Sequence, residues 1–406
     1  MQINVERLKN TMDVINGISV TSEGGIDRVA LSDADKKARD MFKQWMMEEG
    51  LSVRIDDLGN MYGRRPGFDD NSPPICLGSH LDTQPNGGKF DGTLGVISAL
   101  EIIRALNDHN IQTRYPIEII NWTNEEGARF QPALMGSGVI AGIFDQQQIY
   151  ETKDAAGRKF IDELKRIDYL GQASNRLTDA KAYLELHIEQ GPVLEQAGYG
   201  VGIVTGVSGS CWLKVTIKGT ANHAGTCPMS MREDALVCAA KGIVEMREKI
   251  KSLDDSALIT IGEINALPGV LNIIPEEAVF TVDLRCPDEK VLLSSEKMVF
   301  EILEKACGEE RTTYNVEKIW YSSPLSFAED IIMELEKASE ALGIPALKLV
   351  SGANHDAKSM AKITPSGMVF VKSIGGRSHC PEELSEWKDI EAAANLLLKT
   401  IISLSQ

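Results

Sequence analysis

Apolar and polar positions alternate along the chain with two different periods, which predict its helices and strands. Residues 34–50 place apolar side chains at helical spacing and end on a glycine, so they predict an amphipathic helix with a glycine cap. Residues 51–57 alternate as in a half-buried strand, and residues 74–79 form the apolar run of a buried strand. Residues 93–107 and 116–122 predict the next helix and strand. Strands and helices in alternation indicate an α/β sheet with helices on its faces.

A different order of elements begins near residue 211, after a further strand predicted over 182–189. The pattern then reads strand, helix, two strands, helix and strand, over 212–218, 231–251, 257–265, 277–285, 288–306 and 314–321. That order, βαββαβ, predicts an antiparallel sheet backed by two helices, which is the ferredoxin-like arrangement. We therefore predict an inserted domain over 211–324, within an α/β domain made of 1–210 and 325–406.

Length and charge narrow the class of protein. A chain of 406 residues is long enough for two hydrophobic cores. It carries 42 Lys+Arg against 59 Asp+Glu, a formal net charge of −17, which argues against a nucleic-acid or anionic-membrane partner. Its apolar runs are shorter than a membrane span, and the N-terminal MQINVERLKN lacks the basic start and apolar core of a signal peptide. We therefore expect a cytoplasmic protein.

The seven cysteines add little chemistry. Their number is odd and no two are spaced as C-x-x-C, which argues against a zinc ribbon and against a disulfide framework. We expect buried or idle thiols in a reducing compartment.

The stretch GSHLDTQPNGGKFDG, residues 78–92, places chemistry at the end of a buried strand. Residues two apart on a strand face the same side, so His80 and Asp82 should project together from the carboxyl end, where open α/β sheets hold their sites. The glycine-rich loop then lets Asp91 return to the same place. Histidine with carboxylates is a ligand set for hydrolytic divalent metals such as zinc, manganese or cobalt. The alternative is that His80 is a core histidine and Asp91 only caps the following helix.

Three further segments carry similar residues where predicted strands end. Glu125 and Glu126 follow a buried strand, and adjacent carboxylates that point different ways can divide the work. One can bind metal while the other takes a proton from a bound water. His187 lies at the end of another strand, and His379 lies in a glycine turn after a strand. Each is weak evidence by itself, but three of the six histidines lie at strand ends beside glycine-rich turns.

Seven motifs, in order along nearly the whole chain, resemble a known family. They are GSHLDTQPNGGKFDG, NWTNEEGARF, ELHIEQGPVLE, NHAGTCPMSMREDAL, LNIIPEEAVFTVDLR, SGANHDA and SHCPEE. These motifs resemble the dinuclear-metal amidohydrolases that include N-carbamoyl-L-amino acid hydrolases, β-ureidopropionases and allantoate amidohydrolases, relatives of the metal-dependent aminoacylases and carboxypeptidases. HIEQGP discriminates most, because the peptidase relatives usually carry an acidic ligand where this chain has His187. The resemblance implies a metallopeptidase-like α/β catalytic domain with a mixed central sheet, plus an inserted ferredoxin-like lid and dimerisation domain.

The resemblance implies a centre of two divalent metal ions per subunit. Asp91 would bridge the two ions, His80 and His187 would complete one site, and Glu126 and His379 would complete the other. Zinc is the first choice for these ions, and manganese, cobalt and nickel are compatible with the same ligands.

The same resemblance gives catalytic roles to two more carboxylates. Glu125 would be the general base that acts on the bridging water, and Asp82 would orient His80 through its carboxylate. A cis peptide bond after Asp91 is also implied, and Gly92 would accommodate it.

The resemblance also implies which residues bind the substrate. Arg285 would grip a carboxylate with its guanidinium, together with Asn272 and His223. His223 would reach the active site of the neighbouring subunit, so a homodimer is implied. Gln190 would contact the ureido group, and two residues of SGANHDA would lie near the substrate, Ala353 and Asn354. Without the resemblance, Arg285 and His223 are ordinary surface residues, and Asn354 stands where many relatives carry Gly or Ala.

The implied reaction is hydrolysis of the ureido C–N bond of an N-carbamoyl α- or β-amino acid, a small ureido acid, to an amino acid, carbon dioxide and ammonia. An allantoate amidohydrolase would use the same machinery. An aminoacylase or metallopeptidase of the same clan is a second rival, against which His187 and Gln190 speak. A non-catalytic binding protein is a third, but neither a ligand nor Glu125 is lost. A cysteine-nucleophile amidase would need a Glu-Lys-Cys set that no cysteine here provides.

Overall fold

The computed structural model describes residues 1–405, which form two compact units. The large unit consists of Met1–Thr205 together with the described residues from Phe327 onward, and the inserted unit is Gly206–Ser326. The large unit holds a mixed sheet flanked by helices, and the inserted unit holds a separate antiparallel sheet. The fold class predicted from the sequence is therefore confirmed.

The helices follow the periodic segments of the sequence. In chain order they are α1 Val5–Asn16, α2 Asp33–Glu48, α3 Thr93–Asp108, α4 Met135–Ile140, α5 Gln146–Glu151, α6 Phe160–Arg166, α7 Val193–Ala197, α8 Ala235–Lys251, α9 Glu289–Glu310, α10 Glu329–Leu342, α11 Asp356–Met360 and α12 Trp387–Leu404. Gly50, the predicted glycine stop of α2, has a φ of +78°, as the position after a helix cap often requires. Within residues 1–405, no helix combines the length and the apolar content needed to cross a membrane.

The strands of the large unit form one mixed sheet. In chain order the strands of the whole chain are β1 Ser52–Ile55, β2 Met61–Arg65, β3 Ile75–His80, β4 Ile117–Trp122, β5 Ala182–Ile188, β6 Val201–Val207, β7 Gly209–Lys218, β8 Asn222–His223, β9 Leu258–Thr260, β10 Ile264–Leu267, β11 Ile273–Ile274, β12 Glu277–Cys286, β13 Thr313–Ser322, β14 Leu325–Ser326, β15 Ala346–Ser351 and β16 Ser366–Val371. The order in the large unit is β1-β2-β4-β3-β5-β16-β6, and β15 also pairs with β6.

Four neighbouring strands of this sheet run parallel and bring their carboxyl ends to one edge. β3 pairs in parallel with β4 and β5, and β5 pairs in parallel with β16. His80 ends β3 opposite Trp122, and His187 lies opposite Phe370. Because parallel strands end at the same edge, the loops after these four strands leave the sheet together, which is where open α/β sheets hold their sites.

Helix α3 packs unusually close to the sheet because it carries a glycine at the point of contact. A Cβ at Gly95 would lie 2.5 Å from the main-chain oxygen of Leu186 and 2.7 Å from the Cβ of Ser79. No side chain fits there, so the glycine lets the helix lie directly on β3 and β5. This contact fixes the start of α3, and with it the position of Asp91, relative to the strand that ends in His80.

The inserted unit has the predicted ferredoxin-like order with one correction. Its sheet is β10-β12-β7-β13, with antiparallel neighbours, and α8 and α9 share a core with it. The single strand predicted over 257–265 is wrong, because β9 and β10 are separate and their register on β12 shifts by one residue. The shift arises because the segment between Thr260 and Ile264 has one residue more than the part of β12 that it faces, which disrupts the ladder as a bulge does.

Candidate metal centre

His80 is the last residue of β3, and its ring is buried against carboxylates. Its Nε2 lies 3.5 Å from Asp91 Oδ1 and 3.4 Å from Glu125 Oε2. This nitrogen is buried and makes no hydrogen bond with any described residue. Because buried polar atoms nearly always have a partner, the nitrogen fits a metal ion as the missing one.

The carboxylate of Asp91 lies between two groups of metal-binding side chains. Oδ1 lies 3.2 Å from Nε2 of His187, and Oδ2 lies 3.2 Å from Nε2 of His379. Ligand atoms within 4.8 Å of one another define two groups that share Asp91: His80, Asp91 and His187; Asp91, Glu126 and His379. All five predicted metal ligands are thus together, and a shared carboxylate with one group on each oxygen fits a bridge between two divalent ions.

Glu125 and Glu126 follow β4 and point to different sides of the centre. Glu126 Oε2 lies 3.4 Å from the Nε2 of His379 and accepts a 2.8 Å hydrogen bond from Gln84 Nε2. Glu125 instead faces His80. The main-chain N–H groups of both glutamates donate to the carboxylate of Asp82, each at 3.3 Å. Asp82 therefore holds the turn that separates the two side chains.

The expected role of Asp82 is wrong in one respect. Its carboxylate Oδ1 is 3.9 Å from the Nδ1 of His80, whereas its main-chain oxygen lies 2.8 Å from that nitrogen and orients the ring. The strand ends at His80, so the rule that residues two apart share a face does not reach Asp82. The main chain of Asp82 orients His80, and its carboxylate orients the two glutamates.

The peptide bond after Asp91 is trans, contrary to the expectation. The cis peptide bonds within residues 1–405 precede Pro132 and Pro268. Gly92 has a φ of +61°, and a Cβ there would run into the His80 ring. The glycine is needed because the chain turns sharply against this ring, whatever the peptide isomer.

Charge and burial shift the pKa values of the centre in opposite directions. Burial by itself raises the pKa of the Asp91 carboxyl, but the facing histidines, His187 first, outweigh it and hold the pKa well below its usual range. Burial raises the pKa of Glu125 well above its usual range and that of Glu126 to about 7. The hydrogen bond to Asp91 raises the pKa of His379 to about 9. A metal ion that binds the His379 ring at neutral pH must therefore displace a proton.

Gln190 lies at the centre, where its amide is hydrogen-bonded to Asp91. Its Nε2 donates to Asp91 Oδ2 at 2.7 Å and lies 3.3 Å from the Nε2 of His379. Its Oε1 is buried and has no hydrogen-bond partner among the described residues. The amide thus supports Asp91 and keeps one acceptor available.

The loop SGANHDA reaches the centre through His355, to which the sequence gives no role. The His355 ring packs against the His187 ring with a centroid separation of 4.5 Å. Burial, with His187 adding to it, holds the pKa of His355 well below its usual range, so the ring is neutral. The neighbouring Ala353 donates its N–H to the Ser351 hydroxyl, and the Asn354 side chain accepts from Lys358.

The remaining predicted substrate residues lie in the inserted unit. His223 pairs with Ile273 across β8 and β11. The main-chain oxygen of Asn272 accepts a hydrogen bond from the main-chain N–H of Ala224, so His223 and Asn272 are neighbours. Arg285 lies on β12 and forms an ion pair with Asp283, with 2.9 Å between Nη2 and Oδ2.

Two residues that reasoning from the sequence missed also support the centre, the half-buried Ser378 and the buried Glu185. Ser378 places its hydroxyl 2.9 Å from Asp91 Oδ2. Glu185 accepts hydrogen bonds from Ser79 and from the main chain of Ala357, and it forms a third group of possible ligands with His187 and His355. Both lie inside motifs quoted above, SHCPEE and ELHIEQGPVLE. The only signal for them in the sequence is that each stands close to a predicted histidine ligand.

Known proteins of the same kind match this chain over its length. The model of peptidase family M20/M25/M40 matches residues 76–403. An N-carbamoyl-L-amino-acid amidohydrolase of Rhizobium meliloti is 39% identical, over 100% of this chain and 97% of its own. Allantoate deiminase 1 of Glycine max is 34% identical, over 95% and 86%. The crystal structure of a hydantoinase/carbamoylase family amidase from Burkholderia multivorans has a TM-score of 0.95 at 38% identity, covering 100% and 98%.

Fold and centre together define a hydrolase with a metal site of histidines and carboxylates at the edge of an α/β sheet. The chain belongs to peptidase family M20/M25/M40, and within it to the hydantoinase/carbamoylase amidohydrolases. The family resemblance inferred from the seven motifs is confirmed.

We predict that Zn²⁺ binding at the His379 group tightens as the pH rises from about 6 to 9. Below a pKa of about 9 the His379 ring is protonated and offers no lone pair, so each pH unit from about 9 down to 7 should weaken binding about tenfold; below the Glu126 pKa of about 7 a second proton competes and the dependence should be steeper. Titration against a chelator at several pH values, corrected for the chelator's own protonation, measures this. His109→Gln, outside the ligand groups, should keep the full dependence. An affinity that is flat over this pH range would contradict the assignment.

Proposed function

We propose that this protein is a metal-dependent amidohydrolase that cleaves the ureido C–N bond of N-carbamoyl amino acids. The observation that carries the proposal is the pair of ligand groups that share Asp91, with Glu125 beside them. The relative from Rhizobium meliloti, 39% identical over the full length, supports this substrate class. Water and the N-carbamoyl group together give the free amino acid, carbon dioxide and ammonia.

Two divalent ions fit the centre, one held by His80, Asp91 and His187 and the other by Asp91, Glu126 and His379. Nitrogen and oxygen donors of this kind suit zinc best, and manganese, cobalt or nickel also. When bound, such ions polarise the scissile carbonyl and make a bound water more acidic.

Glu125 is the residue that moves the proton. Its carboxylate lies at the centre beside His80. The carboxylate of Glu126, by contrast, is already paired with Gln84 and His379. Burial raises its pKa, which suits a group that must accept a proton near neutral pH and release it again. Glu125 takes a proton from the attacking water and then delivers it to the departing nitrogen.

Substrate binding involves both units in this proposal. Gln190 keeps an amide oxygen for the ureido nitrogen, and the loop at Ala353 and Asn354 borders the centre through His355. The inserted unit acts as lid and dimerisation domain: Arg285 binds the substrate carboxylate, and His223 and Asn272 polarise the carbonyl. His223 acts in the neighbouring subunit of a homodimer.

The place of action in this proposal is the cytosol. All seven cysteines are free thiols and six of them are buried, which suits a reducing compartment.

Allantoate is the second candidate substrate. The Glycine max allantoate deiminase is 34% identical over 95% of this chain, and the same ligand set would serve both ureido compounds. The ligand set does not separate them, because the reacting group is the same.

The substrate test is a panel of four compound types with zinc-loaded protein. We expect ammonia release from N-carbamoyl-L-amino acids. The rate on N-carbamoyl-β-alanine then shows whether derivatives of α- or β-amino acids are preferred. Allantoate should be cleaved at least tenfold more slowly, since one wrong group in a pocket costs about 1–3 kcal/mol. Ammonia from allantoate only would move the protein to ureide breakdown. Free amine from an N-acetyl amino acid only would favour the aminoacylase alternative.

The adjacent glutamates should separate cleanly on mutation. Glu125→Gln should keep both metal ions and lower kcat about 10²- to 10⁴-fold, because it removes only the proton acceptor. Glu126→Gln is the matched change one residue away, and it should lower metal content instead. Metal analysis together with steady-state kinetics distinguishes the two variants. A fully active Glu125→Gln would contradict the role assigned to Glu125.

Action of His223 across the dimer predicts complementation. His223→Ala and Glu125→Gln should each be nearly inactive as pure proteins, because every site lacks one group. Unfolding and refolding them together should restore activity, since a mixed dimer holds one site with both groups intact. Two His223→Ala preparations mixed in the same way are the control. If the mixture stays as inactive as its parts while it still forms dimers, His223 acts within its own subunit.

A further inference from the structure

Glu383 is a buried carboxylate beside the centre, and it belongs to neither of the two ligand groups that share Asp91. Its residue is 3% exposed. It lies in the motif SHCPEE, where only the histidine was assigned a role. A carboxylate this buried is costly unless hydrogen-bond donors surround it, so its partners show what it is for.

One oxygen of Glu383 holds the loop that carries the bridging aspartate. Oε1 accepts hydrogen bonds from the main-chain N–H groups of Phe90 at 2.8 Å and Asp91 at 3.0 Å. Two donors on one carboxylate oxygen fix the orientation of this part of the chain. The position of the Asp91 side chain follows from that orientation.

The other oxygen holds the loop that carries His379. Oε2 accepts from the Ser378 hydroxyl at 2.7 Å and from the main-chain N–H of His379 at 3.3 Å. His379 has a φ of +57°, a conformation that residues other than glycine disfavour, and its side chain is 47% exposed. This ligand therefore depends on contacts of its main chain more than His80 and His187 do, because those two are strand residues with buried rings.

Glu383 packs tightly against the loop at Gly88. A Cβ at Gly88 would overlap the carboxylate of Glu383. The glycine thus lets the loop before Asp91 close down on this side chain. Loop and carboxylate, 293 residues apart in sequence, fit each other only with a hydrogen atom at this position.

We infer that Glu383 is a positioning residue that ties the Asp91 loop to the His379 loop and so assembles the metal site formed by Asp91, Glu126 and His379. It touches neither substrate nor metal in this role. The inference rests on the proposed dinuclear centre and adds a residue that sets the affinity of one of its two sites.

Glu383→Gln tests the tie with almost no change in volume. The amide keeps one acceptor oxygen, so it can satisfy one loop while its N–H groups meet the N–H donors of the other. The matched control is Glu382→Gln, which removes the same charge from the exposed neighbouring residue. Gly88→Ala is a second variant, since its methyl group should displace the Glu383 carboxylate and leave its charge intact.

The measurements are Zn²⁺ stoichiometry and affinity by competition with a chelator, beside circular dichroism and kinetics. Wild type and Glu382→Gln should bind two Zn²⁺. Glu383→Gln and Gly88→Ala should bind one as before and the second about 10- to 100-fold more weakly. Saturating Zn²⁺ should restore most of their kcat with KM unchanged, which damage to the fold would not allow.

The inference is overturned if a folded Glu383→Gln binds both ions as tightly as Glu382→Gln; if that variant does not fold, the same comparison with Gly88→Ala decides. A wild-type protein that binds a single Zn²⁺ would refute the dinuclear proposal instead. The role of Glu383 is then tested on that one ion, and the affinity for it must still be lower in Glu383→Gln for the inference to stand.

Discussion

The carboxylate of Asp91 is the group on which the rest of the centre depends. It is buried at the start of α3 and faces histidines from three separate parts of the chain. A buried charge is tolerable only when opposite charge or donors surround it, so Asp91 needs those rings or the metal ions they would share. The close packing of α3 at Gly95 and the turn at Gly92 both serve to keep this one carboxylate in place.

The sheet delivers most of the ligands, and this part could be predicted from the sequence. Apolar runs that stop at a histidine or an acidic pair mark strand ends, and neighbouring parallel strands end at one edge. The role of Asp82 could not be predicted, because the alternation of faces ends with the strand at His80. The split between β9 and β10 could not be predicted for a similar reason, because one extra residue in a strand leaves the apolar pattern almost unchanged.

Contacts between distant segments are the part that no local pattern reveals. Ser378 meets Asp91 across 287 residues, and Glu383 meets Phe90 across 293. Both residues stand beside His379 in one motif, yet nothing in their spacing says that they face the loop before α3 rather than solvent. The adjacent Glu382 does face solvent, so residue type and position by themselves cannot separate the two glutamates.

The same problem arises at Glu125 and Glu126, and here the structure resolves it by environment. Asp82 accepts from both main-chain N–H groups, which fixes the turn and sends the two side chains to different partners. Burial raises the pKa of both carboxyls. A divalent ion bound at Glu126 would occupy that carboxylate, whereas Glu125 belongs to neither ligand group that shares Asp91 and stays available to accept a proton. Two identical neighbours thus become a ligand and a base, because only one of them is committed to an ion.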